Sequence, residues 1–450
     1  MPGDPGPLRG AFPVTRRPRT IGFRPSRTSR QGQGGSLVNA DPLIWASILL
    51  IVLAGTYNFG LFLLSRRKVP LAPPSGEQRF YVFLLACLNE EMVLGDSLAR
   101  ITELPAENCV ALVIDDASDD RTAEIARAAD PDRVWLHQRH LPDARRGKGA
   151  ALNDGVRLLR ASGLLGGRDP QDVIICVVDA DGRLDRHVIE AVDPFFNDPS
   201  TGATQIGVRM YNREKGLLAR LQDMEFVVYG DVFQSARRFI GSVGMGGNGQ
   251  FMRLSALDSL GENPWSDSLT EDLDLGVRLI AKGWTNQYCP TAAVSQQAVL
   301  DVRRLVRQRS RWFQGHLQSA DLAPLILRDV PGRAAMDLIY HLSSPVLILL
   351  TSLLPLSFLV AVLGTVAGSV ARGEPMVDVM WFAGPYVLSF TVAWIYGFVY
   401  RQRERTLRPL QAALLGHAFV FYGYIWFAAG WMGVWRTVTG KTTWLKTARS

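Results

Sequence analysis

The chain reads as an α/β protein with a mainly parallel mixed sheet, flanked by transmembrane and interfacial α-helices. Three observations carry this reading. Short, continuous apolar runs recur through the middle of the chain; helical patterns fall between them; and long uncharged stretches lie on either side. Alternation of strand and helix is the pattern of a sheet whose parallel strands are joined by crossover helices.

The strands come first. "FYVFLLAC" (Phe80 to Cys87), "CVALVIDD" (Cys109 to Asp116) and "DVIICVVDAD" (Asp172 to Asp181) are apolar without alternation, as expected of strands buried on both faces. Helices are expected over Arg121 to Ala129 and Gly149 to Ala161. Ligands of such sheets bind outside the carboxyl ends of the strands. All three strands deliver acids there: "LNEE" (Leu88 to Glu91), "DDASDD" (Asp115 to Asp120) and "DADG" (Asp179 to Gly182).

The flanks differ in texture. "PLIWASILLIVLAGTYNFGLFLL" (Pro42 to Leu64) carries no charge, and as a helix it would span about 34 Å, enough for a bilayer core. Three more apolar stretches run from Ser343 to Val370, Val377 to Tyr400 and Leu410 to Trp435, with Asp378 the one charge among them. Ion transporters usually place charges inside the membrane, so that class is disfavoured. The expected organisation is a basic tail over 1–41, a transmembrane helix over 42–64, an α/β domain over 75–318 and interfacial helices over 319–342. A membrane region over 343–435 has two to three spans, and a tail over 436–450 follows.

Hydrophobic residues make up 47% of the chain and charged residues 20%, with a net charge of +7. The first 40 residues hold seven Arg and one Asp among many Pro and Gly, a composition that favours a solvated, disordered tail. With only Phe12 and Phe23 as interleaved aromatics it gives little support to nucleic-acid binding. The four Cys form no CxxC pair, so a zinc site is not expected and the cysteines read as reduced core residues.

Several acids in one crevice repel unless cations compensate, and Mg²⁺ (or Mn²⁺) held by one or two carboxylates and by phosphate oxygens would do so. "RRGKGAALNDG" (Arg145 to Gly155) adds cations and glycines ahead of a helix, an anion cradle without the full phosphate-loop pattern. "GSVGMGGNGQF" (Gly241 to Phe251) lets a bulky ligand approach backbone, or serves as a hinge. "SLTEDLDLGVRL" (Ser268 to Leu279) reads as a helix start: Ser268 and Glu271 have capping-box spacing, Thr270 suits the N-cap, and first-turn acids suit the dipole. "RRLVRQRSRWFQG" (Arg303 to Gly315) reads as a basic amphipathic helix at a membrane surface.

Taken together, Asp115–Asp116, Asp179–Ala180–Asp181, Thr270–Glu271–Asp272 and Gln308–Arg309–Ser310–Arg311–Trp312 resemble, in order, the motifs of processive family 2 glycosyltransferases, the group of cellulose, chitin and hyaluronan synthases. The resemblance covers about 250 residues and implies a GT-A fold, a UDP-sugar donor and a growing β-linked polysaccharide as acceptor. It implies Asp272 as the general base and a metal held by Asp181 with Asp179. Asp115 or Asp116 would contact the nucleoside, and Asn89, Glu91, Lys148 and Arg311 join the donor set. Glu271, Gln308 and Trp312 fall on the acceptor side. Trp444, Thr447 and Arg449 resemble a gating segment. It further implies a multi-pass protein of the plasma (inner) membrane with its catalytic domain in the cytosol. Accessory export proteins or a second copy of the chain are the expected partners. Transfer of one sugar to a lipid carrier, and a non-catalytic nucleotide-binding subunit, are the competing expectations. With the catalytic domain inside, three full C-terminal crossings would put the basic tail outside. A last segment that lies in the interface or re-enters removes that conflict.

Overall fold

The computed structural model describes residues 42–68, 79–353 and 380–440, with short pieces at 363–364, 367–368 and 370–373. The tail over 1–41, the gating residues Trp444, Thr447 and Arg449, and much of the expected Ser343–Val370 stretch lie outside the described residues. The chain divides into two units, one up to Thr56 and one from Tyr57 onward; the sheet and every helix after it belong to the second. The first helix, α1, runs Pro42–Ser65.

The strands are β1 (Phe80–Cys87), β2 (Cys109–Asp115), β3 (Val134–Gln138), β4 (Val173–Val177), β5 (Arg183–Leu184), β6 (Thr201–Met210), β7 (Gln250–Arg253) and β8 (Thr285–Gln296). They form one sheet in the order β3-β2-β1-β4-β7-β6-β8-β5. β1 pairs in parallel with β2 and β4, and β2 with β3. β7 runs antiparallel to β4 and β6, while β6 and β8 are parallel. The sheet is therefore mixed and mostly parallel, as the apolar runs predict.

Alternation along β1 explains why its run is continuous. Tyr81, Phe83 and Leu85 enter one core cluster; Val82 and Leu84 enter the other. Successive side chains of a strand point to opposite faces, so a strand covered on both sides has no polar position to spare. Helices α2 (Leu94–Thr102), α3 (Thr122–Ala128) and α5 (Val188–Val192) pack on the first face; α4 (Lys148–Ala161) and α8 (Leu254–Asp258) on the second. All four cysteines are free and buried.

Beyond these, α6 (Leu217–Val228), α7 (Ser235–Ile240), α9 (Glu271–Ala281), α10 (Val302–Gln318), α11 (Ala323–Asp329) and α12 (Gly332–Ser352) lead to the C-terminal helices Met380–Arg403, Pro409–Tyr422 and Tyr424–Val438. Among the described residues, Gly332–Ser352 and the continuous Pro409–Val438 are long and apolar enough to cross a membrane. α12 begins inside the segment assigned from sequence to interfacial helices, because Pro331 and Gly332 start one helix that runs through to Ser352.

Charged residues bind these helices to the sheet domain. The buried Asp223 carboxylate on α6 accepts from both Arg209 Nε and Nη2 (3.0 and 2.9 Å), from the Met210 amide (2.7 Å) and from Tyr400 Oη (2.7 Å). Arg403 donates to both Asp231 oxygens at 2.6 and 2.8 Å. Arg237 donates to Asp337 of α12 at 2.9 Å. The helix Pro409–Val438 meets the sheet domain along its length. Gln411 lies beside Leu217 at the start of α6; Trp426 donates to Glu225 near its end at 2.8 Å; Arg436 donates to Gln314 of α10 at 2.9 Å.

Candidate active site

The crevice forms where the ends of β4, α4 and α9 meet the Gly-rich loop before β7. Gly147 takes φ +111°, a turn that L side chains disfavour, and α4 then opens on Lys148. Its ammonium donates to Asp179 Oδ1 at 2.6 Å and to the Gly247 carbonyl at 2.5 Å. A Cβ placed on Gly247 would sit 3.3 Å from Asp272 Oδ2 and 3.5 Å from Lys148 Nζ. Four parts of the sequence, "RRGKG", "DADG", the Gly-rich loop and "TED", thus converge within contact distance.

Asp272 and Glu271 occupy the first turn of α9 behind Thr270. The predicted capping box does not form: no side chain caps this terminus. Ser268 Oγ instead accepts from the Thr270 amide at 3.2 Å, and Asp272 Oδ1 accepts from the Leu273 amide at 2.8 Å. Asp272 thus spends Oδ1 on a first-turn amide, while its Oδ2 faces Gly247 in the crevice. Burial, and then the charge of Asp272, push the Glu271 carboxyl up to about 7 against the pull of Lys148. Burial likewise raises Asp272. Burial alone would lower the Lys148 ammonium, but Asp179, Glu271 and Asp272 outweigh it and raise its pKa. Lys148 is thus a fixed cation among three carboxylates.

The acids after β2 are spent differently. Asp115 accepts from the Ser118 amide and from Gln138 Nε2, both at 3.1 Å. Asp116 is buried against Arg139, whose Nε also donates to Asp154 at 3.1 Å. Asp116 is thus tied up in an ion pair, while Asp115 rests on a backbone amide and a neutral side chain. Asn89 and Glu91 are brought to the "DDASDD" turn and not to Lys148: Asn89 Oδ1 accepts from the Asp119 amide at 2.8 Å, and Glu91 pairs with exposed Arg121 at 3.1 Å.

The Arg-rich motif lies on α10, and this helix docks on the start of α9. A Cβ on Gly315 would come within 2.7 to 2.9 Å of Thr270, so only glycine permits this approach. Leu269 donates its amide to Gln318 at 3.1 Å. Gln308, Arg311 and Trp312 lie on the same helix, all three half-buried. Sequence reasoning fixed on Arg311 and passed over Arg309, which is only 1% exposed. Its guanidinium lies 3.9 Å from the Trp312 ring centre, 5.4 Å from Trp426 and 5.6 Å from Phe226, and donates to Glu225 at 2.5 Å. Glu225 also accepts from Tyr422 Oη at 2.7 Å. Arg309 sits four residues from Leu305 and Phe313, both buried, and that spacing is the signal that could have placed it inward.

For a cation, the relevant donors are Asp179 and Asp181. Lys148 already occupies Asp179 as a positive charge, and buried Asp181 accepts from the Gln297 amide at 3.1 Å through one oxygen. Among the described residues no three His, Cys, Asp or Glu side chains gather into a complete cage. Two carboxylates fit a hard divalent ion whose remaining ligands come from phosphate and water.

Residues 78–315 match the model of the glycosyltransferase-like family 2. The beta-monoglucosyldiacylglycerol synthase of Trichormus variabilis is 31% identical over 301 residues, 64% of this chain and 60% of that protein. The poly-beta-1,6-N-acetyl-D-glucosamine synthase of Staphylococcus aureus is 28% identical over 236 residues, 52% of this chain and 53% of that protein. The chain thus spans between half and two thirds of these curated relatives. A solved mannosyltransferase from Pyrobaculum calidifontis, in complex with GDP-Man and Mn²⁺, shares the fold with a TM-score of 0.59 at 16% identity, covering 87% of this chain and 98% of that one. The sheet is of the GT-A type, and with more than half its length matched the chain belongs to the glycosyltransferase-like family 2.

Proposed function

We propose that the protein is a membrane-bound inverting glycosyltransferase that moves a sugar from a nucleoside-diphosphate donor, UDP-linked by the resemblance, to a carbohydrate hydroxyl. The observation that carries this is the convergence of Lys148, Asp179, Gly247 and Asp272 in one crevice. Inverting transfer needs in-line attack on the anomeric carbon opposite the leaving diphosphate, so one base on the acceptor side suffices. Asp272 takes the acceptor proton; its raised pKa makes it a better base than an exposed Asp. A positioned base contributes on the order of 10²–10⁴-fold. Lys148 and Arg311 balance charge on the departing diphosphate. Asp115 meets the nucleoside. A divalent cation at Asp179 and Asp181 would neutralise the diphosphate when bound.

Trp312 offers the acceptor an aromatic floor held by Arg309 and Phe226. A flat indole suits a sugar ring, which favours extension of a β-linked polysaccharide at the membrane. The relatives named for glucosyldiacylglycerol synthesis favour a second reading, transfer to a lipid. Membrane attachment rests on α1, α12 and the C-terminal helices. Arg401, Arg403, Arg405 and Arg408 follow closely at and after the end of the helix Met380–Arg403, where Arg403 pairs with Asp231 of the sheet domain, which favours a cytosolic catalytic side. Contacts of Trp426 with α6 and of Arg436 with α10 favour a helix Pro409–Val438 that lies along the interface rather than one that crosses. Its exposed Leu410, Leu414, Phe421, Trp431 and Trp435 then face lipid.

Incubation of purified protein with radiolabelled UDP-glucose, UDP-N-acetylglucosamine and UDP-glucuronate tests this. A labelled water-soluble chain supports the polysaccharide reading. A label of one sugar in the organic phase supports the lipid reading, and no transfer from any nucleotide sugar refutes both.

A further inference from the structure

A cleft of about 430 Å³ opens away from the acidic crevice, between the start of α6 and the helix Pro409–Tyr422. Arg213, Arg220 and Gln411 line its polar side; Leu217, Leu414 and Ala418 line its apolar side. The volume falls in the range of small-molecule sites, about 300–1,000 Å³. Leu217 is 58% exposed and Leu414 60%, so the apolar wall continues out onto the surface that faces lipid. Arg213 and Arg220 line it, and exposed Lys215, Arg405 and Arg408 adjoin its lining in sequence, against the carboxylates of Glu214, Glu404 and Asp223, the last 3.9 Å from Arg213. Arg213 donates to Glu404 at 2.8 Å and Arg220 to Glu214. The cations outnumber the acids, and excess positive charge beside exposed leucine calls for an amphiphile with an anionic head.

We infer that this cleft binds the headgroup of an anionic membrane phospholipid, whose acyl chains run along Leu410, Leu414 and Phe421; this rests on the proposed membrane attachment. The guanidinium groups of Arg213 and Arg220 can fork onto a phosphodiester, and Gln411 can donate to a headgroup hydroxyl. The site is separate from the acceptor floor. Leu217 and Phe226 lie nine residues apart on α6, about 13 Å along the axis. A lipid bound here fixes the angle at which α6, and with it Phe226 and Trp312, sits against the bilayer.

The test uses the full-length protein, co-purified from mixed micelles of phosphatidylglycerol and phosphatidylcholine, with retained lipid counted by native mass spectrometry. The wild type retains phosphatidylglycerol over phosphatidylcholine. Arg220→Gln weakens that retention about fivefold, the effect of one cation at a lipid surface. Leu414→Gln, which leaves every charge in place, weakens it as well. Arg333→Gln, an exposed cation at the start of α12, leaves it unchanged. Equal retention of the two lipids, equal loss in Arg220→Gln and Arg333→Gln, or full displacement by inorganic phosphate would overturn the site. Flotation on phosphatidylcholine vesicles is read separately: all variants float if the protein is membrane-bound, and failure of the wild type to float refutes the membrane reading itself.

Discussion

The acidic crevice and the α6 seam use the same chemistry for opposite ends. In the seam, the fully buried Asp223 is surrounded by Arg209, Tyr400 and the Met210 amide, and each oxygen has donors. In the crevice, Asp179, Glu271 and Asp272 share one ammonium, and burial raises the two acids on α9. A paired charge in a dry seam holds elements together and costs much to break. Carboxylates short of counter-charge are costly to the fold, and such sites are where proton transfer and anion binding are found. The contrast locates the chemistry better than any one motif does.

Substitutions in the two regions should therefore separate. Asp223→Ala removes the shared partner of Arg209 and Tyr400 and destabilises the protein by about 3–5 kcal/mol, visible as loss of the folded fraction in thermal melts. A melt like that of the wild type would mean the seam is not structural. Lys148→Ala lowers the melting temperature less than Asp223→Ala, because the crevice carboxylates can take up protons in its place, and lowers kcat/KM for the donor by about 10²-fold, the scale of a lost charge-stabilising donor. If instead it unfolds the protein, the two regions are not distinct. Arg309→Lys loses the planar stacking on Trp312 and the guanidinium contact with Glu225. Its acceptor KM rises roughly tenfold with donor KM unchanged; a rise in donor KM alone would move Arg309 into the donor set.

The smallest effect concerns pH. Glu271 is raised in the fold to about 7 from its ordinary value of 4.5, so it binds its proton more tightly folded than unfolded. Its stabilising contribution is full below 4.5 and is lost as pH rises through about 7. Glu271→Gln should raise Tm at pH 8 by about 2 °C and leave it unchanged at pH 4. Equal shifts at both pH values would mean that ionisation is not the cause.

Much of this was legible in the sequence. β1 and the bounds of α4 follow from unbroken apolar runs and helical spacing, because a sheet buried on both faces admits no polar residue. The convergence of Lys148, Asp179 and Asp272 was legible only through resemblance, since no local pattern brings residues so distant in sequence together. The capping box misled because Ser268 turned back onto the Thr270 amide. Arg309 was hidden by its neighbours: in a run of five arginines, charge says nothing about which one points inward. Glu225 and Trp426, its partners, carry no signal alone. The Gly-rich loop was marked for close backbone approach, and the group that approaches Gly247 is the Lys148 ammonium.

The most direct measurement pairs UDP binding by calorimetry with transfer from the active UDP-sugar, for wild type and Asp272→Asn side by side. The account predicts that the variant binds UDP as the wild type does, because Lys148 and Asp179 remain, while turnover falls by about 10²–10⁴-fold. Turnover within a factor of about three of the wild type, below the smallest effect of a positioned base, would contradict the assignment of Asp272 as the base.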